Sequence, residues 1–191
     1  MIQNKADYYK YIKQDKVALG VDSNNFFRKI IAPNYIWEFQ KRLRKVEYLK
    51  NCKSHSVIGK LLYKYHKVKF RKQSLKLGFS IPENVFGPGL SIVHYGTIVI
   101  NSNAKIGKNC RIHACTNIGA SGGKPEAPQI GDNVYIGPGA KIYGNITIGN
   151  NTAISANAVV NKSFKEDGML LAGNPAEKIK KIDIKRIIKH I

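Results

Sequence analysis

The sequence predicts a mainly β fold, a parallel β-helix of stacked hexapeptide units with an N-terminal α-helical region and a short C-terminal helix. Three observations predict it. An aliphatic residue returns every sixth position, at Ile100, Ile106, Ile112, Ile118, Ile130, Ile136, Ile142, Ile148, Ile154 and Val160. Four places after most of these stands a small or β-branched residue: Ala104, Cys110, Thr116, Val134, Ala140, Ile146, Thr152 and Ala158. Glycine often follows the aliphatic position directly, at Gly107, Gly119, Gly131, Gly137 and Gly149. A period of six matches neither a strand nor a helix. It suits a solenoid whose six-residue units each form one flat face and turn a corner, three units closing a triangular coil. No unit buries its apolar side alone, so the coils must stack.

The chain divides at residues 78 and 164. In the helical region 1–78, Lys5 to Leu19 reads as a helix stopped by Gly20, with Tyr8, Tyr11, Ile12 and Val17 on its apolar side. A short helical piece with Phe26, Phe27, Ile30 and Ile31 ends before Pro33. Asn34 suits an N-cap. Beyond it Ile36, Phe39, Leu43 and Val46 recur at helical spacing, with Lys41, Arg42, Arg44 and Lys45 placed on the surface. A further helix from about Ser56 carries Ile58, Leu61, Leu62, Tyr65 and Val68 and should end before Gly78. Trp37 reads as packing a helix pair or a subunit contact, with an aromatic anchor at a membrane interface as the alternative.

The solenoid occupies 79–164. Phe86 and Ile92 hold the six-residue phase, but Ile100 comes eight residues after Ile92, so His94-Tyr95-Gly96-Thr97 takes up two extra residues. A second break lies between Ile118 and Ile130, where Lys124 stands at a core position. The Gly- and Pro-containing run Ala120 to Pro128 therefore reads as a loop leaving the prism. In the tail, 165–191, Asn174, Pro175 and Glu177 suit the N-cap, N1 and N3 positions of a helix with Ile179, Ile182 and Ile187 on one side.

The chain carries a formal charge of +20. Region 1–78 holds 19 Lys+Arg against 5 Asp+Glu, or +14, whereas 79–164 and 165–191 are each +3. Such a basic region is either a solvated lysine-rich face or a surface for an anionic membrane or glycan; nucleic acid is not the expected partner. Cys52, Cys110 and Cys115 suit neither a disulfide framework nor a zinc site, and Cys110 reads as a core filler. Met1 to Lys10 lacks the apolar core of a signal peptide, and no apolar run approaches the ~20 residues of a bilayer span. A cytoplasmic protein is expected, with peripheral attachment at the inner membrane face as an extension.

The hexapeptide series, the loop after Ile118 and the run Ala172-Gly173-Asn174-Pro175-Ala176 resemble left-handed β-helix acyltransferases. The nearest group is the serine acetyltransferase family with its relatives in surface-polysaccharide O-acetylation. The resemblance covers residues 78–182, and the N-terminal third only in outline. It implies a left-handed coil, acetyl-CoA as co-substrate, no metal, and a homotrimer with active sites in the grooves between solenoids. The N-terminal helices could pair trimers into hexamers.

The acyl transfer so implied needs a base, a site for acyl-coenzyme A and donors to an oxyanion. Histidine can serve as the base at neutral pH. By the resemblance, Gly89-Leu90-Ser91-Ile92-Val93-His94 aligns with the segment ending in the catalytic histidine of serine acetyltransferases. His94 is thus the candidate base; on residue type alone it would be an ordinary polar residue at an irregular corner. His113, 19 residues later, falls near it on the next coil, as a binding residue for acceptor or cofactor or as a solvated corner histidine. Tyr95 and Asn117 join it as candidate acceptor contacts. The resemblance places Gly119, Ala120, Gly137, Ala140, Ala172, Gly173 and Pro175 along the coenzyme A groove. Lys124, Lys141, Lys162 and Lys178 are cofactor-binding candidates for its phosphates, each with a plain surface role as the favoured alternative.

Two departures from the family bear on the acceptor. Val93 precedes His94, and Phe79-Ser80 falls where an acidic residue is expected. Glu126-Ala127-Pro128 stands where the family's loop carries an Arg-His pair that contacts serine. A zwitterion needs charged partners, so the sequence favours acetylation of a surface-polysaccharide sugar hydroxyl. The alternatives are serine O-acetylation, and a non-catalytic solenoid scaffold with basic binding helices.

Overall fold

The computed structural model describes residues 1–21 and 33–191; the helical piece expected around Phe26 to Ile31 lies outside them. Three helices precede the solenoid: α1 (Lys5–Leu19), α2 (Tyr35–Cys52) and α3 (Val57–Leu77). Local chemistry sets their ends. The side chains of Asn4, Asn34 and Ser56 accept the backbone N–H groups of Asp7, Trp37 and Gly59, each satisfying a donor that the first turn leaves free. Gly20 and Gly78 close α1 and α3 in the left-handed conformation that glycine adopts without strain.

Fourteen short strands follow: β1 (Phe79–Ser80), β2 (Ser91–Ile92), β3 (Ile98–Ile100), β4 (Lys105–Ile106), β5 (Arg111–Ile112), β6 (Thr116–Gly119), β7 (Gln129–Ile130), β8 (Tyr135–Ile136), β9 (Lys141–Tyr143), β10 (Thr147–Ile148), β11 (Ala153–Ile154), β12 (Val159–Val160), β13 (Met169–Gly173) and β14 (Ala176–Lys181). They form three sheets, in the orders β1-β3-β6-β9-β12, β10-β7-β4 and β14-β13-β11-β8-β5-β2. These are the three faces of a prism. Every pairing is parallel except β13 with β14.

The register shows how the period works. A plain coil takes 18 residues, as from Ile136 to its neighbour Ile154. The coil holding His94-Tyr95-Gly96-Thr97 takes 20, from Ile92 to Ile112, and the one holding the 120–128 loop takes 24, from Ile112 to Ile136. Both breaks read from the sequence are therefore present, as two and six extra residues. The aliphatic positions and the small positions four places later are all buried. Both columns point inward and stack, each fully buried aliphatic side chain contributing about 1.5–3 kcal/mol.

Two corner columns explain recurring residue types. Gly87, Gly107, Gly131 and Gly149 lie so close to the next coil that a Cβ on Gly87 or Gly107 would come 2.7 Å from backbone carbon. On another column Asn109, Asn133 and Asn151 have positive φ, a region asparagine tolerates better than most residues. Their amides form a ladder, Asn109 Nδ2 donating to Asn133 Oδ1 and Asn133 Nδ2 to Asn151 Oδ1, both at 2.8 Å.

The helices are fixed to the first coil by a buried ionic cluster that overturns one expectation: Arg44, placed on the surface by helical spacing, is 0% exposed. Its Nε donates to Asp15 Oδ2 at 2.7 Å and its Nη1 to Glu47 Oε2 at 3.0 Å. The guanidinium also donates to the carbonyls of Phe86 and Gly87, at 3.0 and 2.7 Å. Asp15 Oδ1 accepts the N–H groups of Gly89 and Leu90, and Glu47 accepts that of Asn84. Burial works against the arginine's charge, but the two carboxylates outweigh it and push its pKa up. The cluster also reorients α1, whose buried residues are Tyr11, Asp15 and Ala18, while Val17 is exposed.

One further expectation is corrected. The tail after Gly173 is not a helix from Pro175. Residues 169–181 form the hairpin β13–β14, with Asn174 and Pro175 at its turn and β13 paired to β11. The last coil offers an unpaired parallel edge whose N–H and C=O groups need partners, and a hairpin supplies them while a helix does not. Only Ile184–Arg186 is helical, as a single 3-10 turn. Within the tail, Ile182 and Ile187 pack with Ala153, Ile184 and Ile188, but Ile179 is exposed. On α3 the apolar residues Ile58, Leu61, Leu62, Tyr65 and Val68 face outward. Its buried residues are Gly59, Phe70 and Ser74, Phe70 stacking on Phe39 of α2 at 5.2 Å between ring centroids.

Truncating Arg44 leaves two buried carboxylates uncompensated. Arg44→Ala should lower unfolding free energy by about 3–5 kcal/mol, measured by urea denaturation; a loss under about 1 kcal/mol would contradict the buried cluster.

Candidate active site

The irregular corner after β2 presents the candidate base. Corners on this edge stay in register: Val93 N–H donates to Ile112 O, His113 N–H to Ile136 O, Gly137 N–H to Ile154 O and Ser155 N–H to Leu171 O. The residues following Ile92, Ile112, Ile136, Ile154 and Leu171 thus form one column about 4.8 Å apart per coil. His94 lies one residue past this column, on the long corner. Gly96 N–H donates to Leu77 O at 2.9 Å, and Ile98 N–H to Gly78 O at 3.1 Å, so the corner is tied to the end of α3. Gly96 has a φ of 132°, and a Cβ there would come 3.3 Å from Ala114 Cβ; both favour glycine.

His94 is exposed, outside the prism. Its ring centroid is 5.9 Å from that of His113, the planes inclined by 56°. His113 is half-buried, meets Tyr135 edge-on at 5.2 Å, and keeps its Nε2 buried with no partner among the described residues. Burial lowers the pKa of His113, and the positive Arg111 and the neighbouring His94 lower it further. Its backbone is held by Thr116, whose Oγ1 donates to His113 O at 2.7 Å. Among the described residues no carboxylate pairs with either imidazole. Concavities lined by Tyr11, Glu47 and Ile130, and by Lys10, Lys13 and His190, include neither His94 nor His113 in their walls.

The other expected site residues divide among three places. Tyr95 is exposed beside His94. Gly137 and Ala172 belong to the histidine column, with Gly173 and Pro175 exposed at the hairpin turn beyond it. Asn117 and Lys141 are register partners on the adjacent face, both exposed, and Lys141 Nζ donates to Cys115 O at 2.6 Å. Gly119 and Ala120 lie at the far end of that face, where the exposed loop begins.

Ala140 does not line a groove: it is an interior residue with no exposure, because it occupies the small inward position of its unit. Gly137 is buried, and a Cβ there would come 2.7 Å from Ala156 N, so its lack of side chain serves coil stacking. Lys178 pairs with Glu166 and Lys162 with Glu177, each at 2.6 Å, and neither is a free cation. Lys124 is exposed on the loop, and Cys110 is buried in the core.

Tyr135 and Arg111 were missed by reasoning from residue type. Both precede an inward isoleucine and are register partners on one outer column. Extending the six-residue phase to outward positions would have placed both beside His113.

This architecture has known counterparts. Residues 127–162 match the family described as bacterial transferase hexapeptide (six repeats). The serine acetyltransferase of Mycobacterium tuberculosis is 37% identical over 100 residues, which is 51% of this chain and 43% of that protein. That of Staphylococcus xylosus is 44% identical over 82 residues, 41% of this chain and 38% of its own length. The chain thus matches less than half the length of these curated relatives. The crystal structure of serine acetyltransferase from Brucella abortus superposes with a TM-score of 0.74 at 23% identity, covering 94% of this chain and 71% of that one. The Neisseria gonorrhoeae enzyme gives 0.70 at 25%, covering 94% and 68%. Residues 127–162 thus resemble bacterial transferase hexapeptide repeats, and the solenoid has the left-handed β-helix fold seen in these serine acetyltransferase structures.

The depressed pKa of His113 predicts that its ring titrates below the usual 6.5 in an NMR pH titration. The ring is then harder to protonate in the folded chain, so as pH falls through the ordinary histidine range this group opposes folding. Arg111→Ala should move the midpoint up without restoring it fully, since burial remains. A midpoint at or above the ordinary value in the native chain would contradict the geometry.

Proposed function

We propose that this chain is an acetyl-CoA-dependent O-acetyltransferase with His94 as general base. The observation that carries this reading is the exposed His94 imidazole, on an irregular corner of a hexapeptide β-helix and 5.9 Å from a second imidazole. The curated relatives matched by this chain are serine acetyltransferases. Among the solved neighbours, the Brucella abortus enzyme has been crystallised with coenzyme A and the Neisseria gonorrhoeae enzyme with serine.

In the reaction, the acceptor hydroxyl gives its proton to a nitrogen of His94 as its oxygen attacks the thioester carbonyl carbon. The carbonyl electron pair moves to oxygen, giving a tetrahedral oxyanion. Collapse re-forms the carbonyl and breaks the C–S bond, and the departing thiolate takes the proton back from the imidazolium. The products are the O-acetyl ester and free coenzyme A. A base placed this way is worth about 10²–10⁴ in rate. Burial and the neighbouring Arg111 disfavour the charged form of His113, and a neutral ring there can accept or donate a hydrogen bond to acceptor or cofactor. Because His94 stands on an open corner, the proposal includes a homotrimer in which a neighbouring solenoid closes the groove and supplies the groups that orient the ring.

Serine is the acceptor that the relatives favour, in place of the sugar hydroxyl favoured by the sequence. One observation keeps the sugar as a second reading: no carboxylate pairs with His94 or His113 among the described residues, and the 120–128 loop offers Glu126 and buried Ala127 without a cationic pair. A zwitterion would then depend on charges from a neighbouring subunit.

Purified protein supplied with labelled acetyl-CoA should transfer acetyl to serine, and His94→Ala should lower turnover by about 10²–10⁴ while leaving thermal unfolding unchanged. Transfer to sugar oligomers with none to serine would reverse the order of acceptors. Full activity of His94→Ala would end the proposal.

A further inference from the structure

The exposed apolar stripe of α3 has no partner among the described residues. Val57, Ile58, Leu61, Leu62, Tyr65 and Val68 lie on one side of the helix at spacings of three and four, with Ile58 72% and Leu61 62% exposed. The stripe runs about 16 Å. Contiguous apolar surface of this kind on a soluble chain marks an interaction site. Its opposite side is occupied, since Phe70 stacks on Phe39 and Gln73 accepts a hydrogen bond from Arg42 at 3.0 Å. The helix cannot roll over to bury the stripe without losing that packing.

The charge around the stripe selects the partner. Helix α3 carries Lys60, Lys64, Lys67, Lys69, Arg71, Lys72 and Lys76 and no acidic residue. Lys67 pairs with Glu83; the other six are exposed and make no ion pair among the described residues. At 100° per residue, Lys60, Lys64 and Arg71 border the stripe along one edge, while Lys69, Lys72 and Lys76 carry its face onward toward the C-terminal end. Two copies meeting through this face would bring a dozen like charges together, which costs several kcal/mol at an interface. An anionic bilayer offers apolar depth for the stripe and negative headgroups for its border, and long lysine stems can reach those headgroups from a partly inserted helix.

We infer that α3 is a peripheral membrane-binding element: its Val57–Val68 stripe inserts into the interface of an anionic lipid bilayer, and its lysine and arginine border pairs with the headgroups. Binding through α3 is independent of the acetyl-transfer reading, because it uses no residue of the histidine corner.

Co-sedimentation of the full chain with vesicles tests this. Phosphatidylglycerol–phosphatidylcholine vesicles should bind the protein at least ~10-fold more tightly than phosphatidylcholine alone, and roughly 0.5 M salt should release most of it. Ile58→Ser/Leu61→Ser/Leu62→Ser and Lys64→Glu/Arg71→Glu should each weaken binding about 10-fold or more; both alter exposed positions, and their folding is checked by thermal unfolding. Equal binding to both vesicle types overturns the inference, as does no binding, or binding that both variants retain. It is also overturned if the native chain ignores vesicles while the triple serine variant lowers the mass measured by light scattering, since a second copy then covers the stripe.

Discussion

Stacking at a six-residue period is the constraint on which this molecule depends. Each coil must present an aliphatic residue and a small residue inward at fixed intervals, and it must pass close enough to the next coil for parallel hydrogen bonds. Positions that satisfy these demands have no freedom left for chemistry. The polar residues admitted inside are satisfied locally, Thr152 Oγ1 donating to Asn150 O at 3.2 Å and Thr116 to the carbonyl of His113, as buried hydroxyls require. Reactive groups are thereby confined to corners and outer faces. The corner that departs from the period by two residues carries His94, and its hydrogen bond to the end of α3 makes the departure a defined structure.

A solenoid also has ends, and an open end exposes backbone groups and core side chains. The two ends here are closed differently. At the start, Asp15, Arg44 and Glu47 take up the N–H and C=O groups of the first turn, and Gln40 Nε2 donates to Leu90 O at 2.7 Å, so polar pairing sets the position of α1 and α2. At the finish, the β13–β14 hairpin continues one sheet. With α1 and α2 spent on the first turn and one side of α3 spent on α2, the outer side of α3 is left as the one described helix face that is apolar yet unoccupied. Its packing debt, on the proposal made above, is met outside the chain.

The two inward columns and the two departures from period were legible because they depend only on spacing along the chain. The nearness of His94 and His113 was legible for the same reason, since their separation is close to one coil. What failed depends on partners distant in sequence. Arg44 follows the surface pattern of α2, and nothing local shows that Asp15 and the carbonyls of Phe86 and Gly87 converge on it. Ala140 was assigned to a groove by resemblance although its own period already placed it inside. The Asn174–Glu177 run satisfies helix-start rules, but the unpaired edge of the last coil outweighs a local cap. For α3 the apolar residues were legible, whereas the direction they face is set by the aromatic pair Phe39–Phe70, which joins residues distant in sequence.

The account centres on the histidine corner as the place where the thioester meets the acceptor. The most direct test is a crystal structure of the chain with coenzyme A. The account predicts that the thiol sulfur lies within about 3–4 Å of the His94 ring, the separation proton return to a thiolate requires, with the pantetheine arm running along the edge that holds His113 and Gly137. A coenzyme A molecule bound on another face of the prism, with its sulfur more than about 10 Å from His94, would be too far for direct proton transfer and would contradict it.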